Sequence, residues 1–293
     1  MIRPLQLQDS EVHAIRCQDL LDGSRSRLVQ IAKETLQILE TGIYLCAVGS
    51  IYIADMVKED IDSVVSIPPE FELPTPPLFP VNDVMTTQVQ NTLTLTAAKD
   101  MVAEGKRPLV LNFANGIHVG GGFLRGAKAQ EETLCYVSSL FCSLVGHPFY
   151  EYNAKIPKNQ SSDYSILSRA TVFRDESYQL IEQPWHMDVL TCAAPIARLD
   201  WGGIPPMEGA AIMAHRIGRV LDIAVAYGFT DLVLGAWGCG AFGNDPQQIA
   251  TLFEQHLNER GQYFDSVVFA IADWSVERRF LQPFASKFSI VEA

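Results

Sequence analysis

The segment from Arg107 to Val145 changes its pattern of apolar and polar residues twice. It opens with an apolar run of strand length, Pro108–Phe113, which ends at the turn-prone pair Asn115-Gly116. A glycine-rich stretch follows, and from Gln130 onward apolar residues recur at helical spacing with a polar face opposite. A strand, a glycine loop and a helix in this order let backbone N–H groups and a helix N-terminus approach an anionic ligand. The pattern therefore predicts a ligand-binding turn near the middle of the chain.

From residue 81 onward, strand-like and helix-like patterns alternate along the chain. This alternation is typical of an α/β domain whose largely parallel or mixed sheet is covered by helices on both faces. The polar connection over residues 146–186 is long for a compact domain, so we expect it to be functional or to carry a small hairpin. The predicted strands are Val84–Gln90, Pro108–Phe113, Met187–Ala193, Leu232–Gly235 and Val267–Ala272, and the predicted helices are Thr94–Glu104, one that begins at Gln130, Gly209–Tyr227 and Pro246–Arg260.

The first part of the chain has a different pattern. Residues 1–66 are predicted to be helical. Residues 67–80 hold six of the sixteen prolines, which predicts an extended strap, and the apolar Leu78 and Phe79 indicate that this strap wraps the core. We therefore predict an N-terminal helical accessory region with a proline-rich strap over residues 1–80, and an α/β domain over residues 81–293.

The helix that begins near Gln130 carries two acids in its first turn, Glu131 and Glu132. Acids at this position are usually explained by the favourable interaction with the helix dipole. They would repel a phosphate bound directly at the helix start, however, so a neutral part of the ligand should meet them. His118 lies in the preceding loop and has no partner at metal-ligand spacing, so we interpret it as a loop residue.

A second glycine loop follows the predicted strand Leu232–Gly235 and runs to Pro246. Asp245 can cap the next helix, Pro246 suits its first position, and Gln248 completes a capping box. The glycines of the loop let the chain curl around a diphosphate without Cβ clashes. Cys239 lies within this loop, but no His-Asp set can be assigned to it, which favours packing over a nucleophilic role.

The second loop also contains the GxGxxG pattern of dinucleotide-binding Rossmann units, as Gly238, Gly240 and Gly243. Such units carry an acid roughly 20 residues further on, at the tip of the next strand. Here Asp265 precedes the predicted strand and Asp273 comes too late. A Rossmann unit is therefore the weaker interpretation of this loop.

The two loops together resemble a known family. The string NFAN-x4-GGG-x7-QEE, from Asn112 to Glu132, resembles the signature of poly(ADP-ribose) glycohydrolases, and most of all their compact bacterial and fungal branch. The second loop, GAWGCGAFGNDP, is nearly the usual diphosphate loop of that family. The resemblance covers about residues 84–273, and Val119 departs from it, since many compact members have proline there. It implies a macrodomain-like three-layer α/β/α fold with a mixed central sheet, plus an N-terminal helical extension.

The resemblance also implies roles for site residues. Glycoside hydrolysis needs an acid near the leaving oxygen and support for oxocarbenium character at the anomeric carbon. Adjacent helix residues point about 100° apart, so Glu131 and Glu132 cannot flank one bond, and one of them must orient the substrate instead. By resemblance, Glu132 is the acid–base residue, Glu131 hydrogen-bonds a ribose hydroxyl, and Asn115 holds the ribose from the other side. The other implied substrate-binding residues are Gln130, which positions the acids, Gly120, Gly121 and Gly122 beside the distal ribose, and Gly235, Gly238, Cys239, Gly240, Ala241 and Phe242 at the diphosphate.

Composition limits the remaining possibilities. The formal net charge of −12 is unfavourable for a broad groove along a polyanion, so a nucleotide-like ligand must be held locally. The six cysteines form no CxxC pair, which argues for reduced thiols in a cytoplasmic protein, or a nuclear one in a eukaryote, and against a zinc site. No apolar run is long enough to cross a membrane. We expect no metal, no cofactor and no sequence-specific binding of nucleic acid.

Three functional hypotheses remain from the sequence. The first is a poly(ADP-ribose) glycohydrolase that hydrolyses terminal ribose–ribose bonds, with ADP-ribosylated proteins as its substrates and ADP-ribose as its ligand. The second is a hydrolase that removes single ADP-ribose units from protein or nucleic acid. The third is a non-catalytic ADP-ribose-binding macrodomain, which would not need the two glutamates. The sequence does not separate the two enzymes, because the leaving group lies outside the ADP-ribose pocket.

Overall fold

A computed structural model describes residues 1–77, 84–157 and 159–291. Within these residues, nine strands form one mixed sheet and two more form a separate hairpin. The strands are β1 (Ile2–Gln6), β2 (Ile43–Cys46), β3 (Gly49–Tyr52), β4 (Val65–Ile67), β5 (Met85–Gln90), β6 (Pro108–Ala114), β7 (Ser165–Arg174), β8 (Leu180–Ala193), β9 (Asp231–Leu234), β10 (Ser266–Ala270) and β11 (Ser289–Ile290). The helices are α1 (Glu11–Leu21), α2 (Arg25–Thr41), α3 (Ala54–Asp62), α4 (Thr94–Ala103), α5 (Gln130–Val137), α6 (Leu140–Leu144), α7 (Pro148–Asn153), α8 (Pro206–Ala226), α9 (Pro246–Arg260) and α10 (Gln282–Phe288).

The main sheet has the order β11-β1-β5-β10-β9-β6-β8-β7-β4. Its pairs are parallel except those on the two sides of β7, which is antiparallel to β8 and to β4. Successive side chains of a strand point to opposite faces, so each central strand contributes to two cores. In β10, Val267 and Phe269 join the core under α8, α9 and α10, whereas Val268 and Ala270 join the core under α2, α4 and α5. The predicted three-layer α/β/α arrangement with a mixed sheet is confirmed.

The topology brings the two glycine loops to one edge of the sheet. Strands β6, β9 and β10 run parallel and adjacent, so their carboxyl ends meet at the same edge. The glycine-rich stretch leaves β6 there, and the second glycine loop leaves β9 there. Ligands of open α/β sheets bind at this edge, in the crevice outside the carboxyl ends of the strands.

The N-terminal region differs from its prediction as an all-helical segment. It contains α1, α2 and α3, but β1 and β4 from the same region lie in the main sheet. Of the predicted strap, Leu73 packs against the core, and Arg219 Nη2 donates to the carbonyl oxygen of Pro68 at 2.9 Å. Leu78 and Phe79 lie outside the described residues. A domain boundary at residue 80 stays a prediction, although the sheet itself includes strands from both sides of it.

The helix predicted from Gln130 is interrupted. Helix α5 ends at Val137, and α6 begins at Leu140. Between them Ser138 forms an isolated bridge with Val172 of β7, and Ser139 Oγ donates to the buried carboxylate of Asp60 at 2.7 Å. Tertiary hydrogen bonds thus replace helical ones at these two residues, and no periodicity of apolar residues signals such a break.

The long connection over residues 146–186 carries more structure than its polar composition indicates. It contains α7, the whole of β7 and the first part of β8. The predicted strand from Met187 therefore begins seven residues earlier, at Leu180, and pairs with β7 as a long hairpin. The prediction that this connection carries a hairpin is confirmed, but the hairpin is part of the main sheet.

Candidate functional site

A cavity of about 480 Å³ lies at the edge of the sheet where the two glycine loops meet. Glu131 and Glu132 line one side, and Gly240, Ala241 and Phe242 line another. The structure thus brings together the two sets of residues that the sequence analysis singled out, although they lie more than 100 positions apart in the chain. The volume is in the range of small-molecule and nucleotide sites.

Gln130 fixes the start of α5 to the end of β6. Its Oε1 accepts from the backbone N–H of Phe113 at 2.9 Å, and its Nε2 donates to the carbonyl oxygen of Leu111 at 2.8 Å. The side-chain amide thus satisfies two backbone groups in the way a neighbouring strand would. Because Glu131 and Glu132 follow directly, this pair of bonds sets their position, in agreement with the predicted role of Gln130.

Glu131 is almost fully buried, with 3% of its surface exposed. Its Oε2 accepts from the backbone N–H of Asn115 at 2.8 Å, and its Oε1 is 3.5 Å from Asn112 Nδ2. Burial raises the pKa of Glu131 well above its ordinary value of 4.5, and the charge of Glu132 adds to this, while the donors at Asn115 and Asn112 partly oppose it. The folded protein therefore binds the Glu131 proton more tightly than water-exposed glutamate does.

Glu132 has one occupied and one free oxygen. Its Oε1 accepts from the backbone N–H of Gly122 at 2.6 Å. Its Oε2 is buried and has no hydrogen-bond partner among the residues that the structure describes. Buried carboxylate oxygens are normally satisfied, and an unsatisfied one at a cavity needs an explanation. Glu132 therefore has a buried carboxylate oxygen that no described residue satisfies.

The middle residue of the triple glycine, Gly121, is required by the acids themselves. A Cβ at Gly121 would lie 2.3 Å from Glu132 Oε1 and 2.9 Å from Glu131 Oε2. Gly120 and Gly121 also have φ of +60° and +59°, the left-handed region that favours glycine. The sequence analysis explained these glycines by the close approach of a ribose. The structure shows a further reason for Gly121, since a residue without Cβ lets the loop reach the carboxylates. The ribose contact stays a prediction.

Asn115 lines the cavity, and its side chain also shapes the loop. Its Oδ1 accepts from the backbone N–H groups of Ile117 and His118 at 2.9 and 2.8 Å. This bonding to nearby backbone is the usual way in which asparagine builds a turn. The predicted contact of Asn115 with ribose is untested, and the amide nitrogen is the group that remains for it. His118 is exposed, as expected of a loop residue.

The residues of the second loop divide into two groups. Gly235 and Cys239 do not line the cavity. A Cβ at Gly235 would lie 2.7 Å from the carbonyl oxygen of Ala270, so this glycine permits strand packing. Cys239 is buried, its Sγ lies 3.7 Å from the carbonyl oxygen of Trp237, and burial raises the pKa of its thiol, all of which fits the packing role predicted for it.

Gly238, Gly240, Ala241 and Phe242 do line the cavity. Within the described part of the chain, no acceptor lies within hydrogen-bond distance of the backbone N–H groups of Gly240, Ala241 and Phe242. Three successive free N–H groups in a turn form a concave site suited to an anion. A Cβ at Gly240 would meet no atom within 4 Å, so the space in front of this residue is open to a ligand.

Other parts of the lining were missed by the sequence analysis. They come from the end of α1 and from the connections that follow β5, β8 and β10, which carry no motif and become neighbours only through the sheet order. Isolated apolar residues in connections give no signal of a pocket in a single sequence. These lining residues include Leu21, Leu93, Trp201, Ile271 and Phe280.

Two properties of the described residues bear on the remaining expectations. They include no helix that is long and apolar enough to cross a membrane. They also include no group of three or more His, Cys, Asp or Glu side chains that could hold a metal ion.

Known proteins share this fold. The family model described as "Microbial-type PARG, catalytic domain" matches residues 32–175. The chain is similar to the poly(ADP-ribose) glycohydrolase of Thermomonospora curvata, with 34% sequence identity, a TM-score of 0.80, and coverage of 90% of this chain and 100% of that one. The structure of that enzyme bound to the inhibitor ADP-HPD gives the same values. No curated protein sequence matches the chain.

A second relative is the poly(ADP-ribose) glycohydrolase of Deinococcus radiodurans in complex with ADP-ribose. It shares 30% sequence identity with a TM-score of 0.70, over 79% of this chain and 96% of that one. The similarity thus spans nearly the full length of each relative and includes the macrodomain-like sheet and the helices on its two faces. The chain belongs to the family of microbial-type poly(ADP-ribose) glycohydrolases.

Proposed function

We propose that this protein hydrolyses the terminal ribose–ribose O-glycosidic bonds of poly(ADP-ribose) and releases ADP-ribose. The observation that carries the proposal is the free Oε2 of Glu132, a buried carboxylate oxygen without a hydrogen-bond partner among the described residues, on a side chain that lines the same cavity as Gly240, Ala241 and Phe242. A protein that only binds ADP-ribose gains nothing from burying two adjacent carboxyl groups, since burying each one costs free energy.

The terminal ADP-ribose unit fits the cavity in one direction. Its diphosphate binds the free N–H groups of Gly240, Ala241 and Phe242, because the carboxyl groups at the opposite side would repel it. Its distal ribose then lies beside Glu131 and Glu132, with the scissile bond within reach of Glu132 Oε2. With Oε2 of Glu131 held by the N–H of Asn115, its Oε1 is the atom that remains for a ribose hydroxyl.

Glu132 then acts in two steps. It first donates its proton to the departing ribose oxygen while the glycosidic bond breaks and oxocarbenium character develops at the anomeric carbon. The resulting carboxylate accepts a proton from the attacking water, whose oxygen forms the new bond to that carbon, and the acid is restored. Both steps use only side chains of the protein, and we therefore propose that catalysis does not depend on a metal ion.

Replacement of Glu132 by glutamine tests the acid–base role. The variant Glu132→Gln keeps the shape and the hydrogen bond to Gly122 but cannot transfer the proton. We expect the rate of ADP-ribose release to fall at least ~10²–10⁴-fold, while the affinity for ADP-ribose measured by calorimetry changes only a few-fold. Glu40→Gln, an exposed change on α2, serves as the control. Near-normal turnover of the Glu132 variant would refute the mechanism.

Replacement of Gly240 by valine tests the diphosphate site. The new side chain enters the open space in front of the loop, where no protein atom lies within 4 Å of the added Cβ, so the fold should tolerate it. Calorimetry should show a steep loss of affinity for ADP-ribose, with an unchanged circular dichroism spectrum and a smaller loss in Gly240→Ala. If folded Gly240→Val protein binds ADP-ribose normally, the diphosphate lies elsewhere.

The raised pKa of Glu131 predicts a pH-dependent effect on stability. The folded state binds the Glu131 proton more tightly than the unfolded chain does, so the wild type loses stability as the pH rises above 4.5 towards the folded pKa. Glu131→Gln removes this loss. Its melting temperature should exceed that of the wild type by several degrees at pH 8, and the difference should shrink at pH 5. A difference that is independent of pH would contradict the shifted pKa.

The products of early turnover test the direction of attack and the independence from metal. The cavity and its two glycine loops suffice for one ADP-ribose unit, so the enzyme should act from the chain terminus and release mostly monomers. A sizing gel of early products, run with and without EDTA, and parallel incubation with mono-ADP-ribosylated protein provide the measurement. Dominant release of oligomers would reject terminal attack, and loss of activity with EDTA would reject the metal-independent mechanism.

A further inference from the structure

Three cationic residues lie on two segments that contact each other next to the start of α5. Arg125 and Lys128 belong to the turn that follows the triple glycine, and Arg25 begins α2, which packs against that turn. Among the described residues, none of the three has a carboxylate within salt-bridge distance, whereas eleven of the other eighteen lysines and arginines, such as Arg107 and Arg260, are paired. In a chain with a net charge of −12, a group of unpaired cations at the edge of the active site gives a local positive potential.

The turn that carries Arg125 and Lys128 is held in place by several hydrogen bonds. The carbonyl oxygen of Gly122 accepts from the N–H groups of Arg125 and Ala127 at 2.8 and 3.2 Å. The hydroxyl of Tyr136, on α5, donates to this turn and lies 3.0 and 2.9 Å from the carbonyl oxygens of Phe123 and Ala127. The turn is therefore fixed to the same helix that carries the two catalytic acids.

Helix α2 approaches the turn closely enough to add its own cation. Arg25 Nε donates to the carbonyl oxygen of Arg125 at 2.7 Å. A Cβ at Gly126 would lie 2.5 Å from the carbonyl oxygen of Arg25, so only glycine permits this contact. Spacing along the sequence gives no signal of this contact, because Arg125 lies a hundred residues from Arg25.

The position of these three cations relates them to the part of the substrate that leaves in the reaction. The turn begins at Gly122, whose N–H donates to Glu132 Oε1. Lys128 itself lines the cavity beside the two acids. The diphosphate of the bound unit lies at the other loop, with Gly240, Ala241 and Phe242, so these three cations are available to a different anion.

A polymer substrate supplies such an anion. In poly(ADP-ribose) the leaving oxygen belongs to the ribose of the next unit, and that ribose carries its own diphosphate, one sugar away from the scissile bond. Resting on the function proposed above, we propose that Arg25, Arg125 and Lys128 bind the diphosphate of the unit that leaves. This subsite distinguishes a polymer from a single ADP-ribose unit on a protein. It contacts one further ADP-ribose unit and does not form a continuous groove along the polymer.

The double variant Arg125→Ala with Lys128→Ala tests this subsite. Arg25 is retained because its contact with the turn is made to a backbone oxygen that both substitutions leave in place. Two phosphate contacts account for roughly ten-fold in affinity for a polyanion at low salt. We expect the KM for poly(ADP-ribose) to rise about ten-fold and the slope of log kcat/KM against log salt to flatten by about one to two. The affinity for ADP-ribose monomer should change less than about two-fold, because monomer lacks the second diphosphate.

The matched control is Lys33→Ala with Lys99→Ala. These are two exposed helix lysines without a carboxylate partner among the described residues, and they lie outside the cavity. The control removes the same total charge, so an effect of net charge alone would appear in both double variants. We expect the control to keep the KM and the salt slope of the wild type.

The possible results separate cleanly. If the wild type degrades the polymer and both double variants behave alike, the subsite is refuted while the proposed function stands. An equal loss of affinity for monomer and polymer would place the cations at the unit inside the cavity and also refute it. Competition by a single-stranded oligonucleotide as strong as that of the polymer, at equal phosphate concentration, would show general polyanion binding instead. If the wild type releases no ADP-ribose, the proposed function itself fails.

Discussion

Two adjacent carboxyl groups buried at the start of one helix are the constraint on which the rest of the site depends. Burying a charged or neutral carboxyl group is costly unless hydrogen-bond donors are supplied. Here the donors are backbone N–H groups of Asn115 and Gly122, so the loop between β6 and α5 must fold back onto the carboxylates. Only a loop without Cβ atoms at the point of contact can approach that closely, which explains the glycine at position 121.

The two glycine loops look alike in sequence but differ in what their backbones do. In the first loop, the N–H of Gly122 is used by a side chain of the protein, and the glycines serve the acids. In the second loop, the N–H groups of Gly240 to Phe242 have no acceptor within the described part of the chain and remain for a ligand. Composition does not distinguish these cases, because the difference lies in which groups each loop faces after folding.

The sequence predicts elements well where the signal is local. Helix α9 has the predicted bounds, and Asp245 caps it, with its Oδ1 accepting from the N–H of Gln247 at 3.0 Å. Strands β1 and β4 were missed because they are short and are stabilised by partners far along the chain. The acids and the diphosphate loop were found from a motif, whereas Phe280 and Leu21 were not, since a pocket wall made of single residues from separate connections leaves no pattern.

The N-terminal region contacts α5 and the chain on both sides of it. Arg25 holds the turn before α5, Thr35 Oγ1 donates to the carbonyl oxygen of Tyr136 within it at 2.9 Å, and Asp60 accepts from Ser139 just after it. Thr35 and Asp60 are fully buried, so each contact replaces water that the partner group would otherwise bind. The orientation of Glu131 and Glu132 follows from that of α5. Residues before the proline-rich strap therefore help to fix the position of this helix, and a unit that began at residue 81 would lack these three contacts.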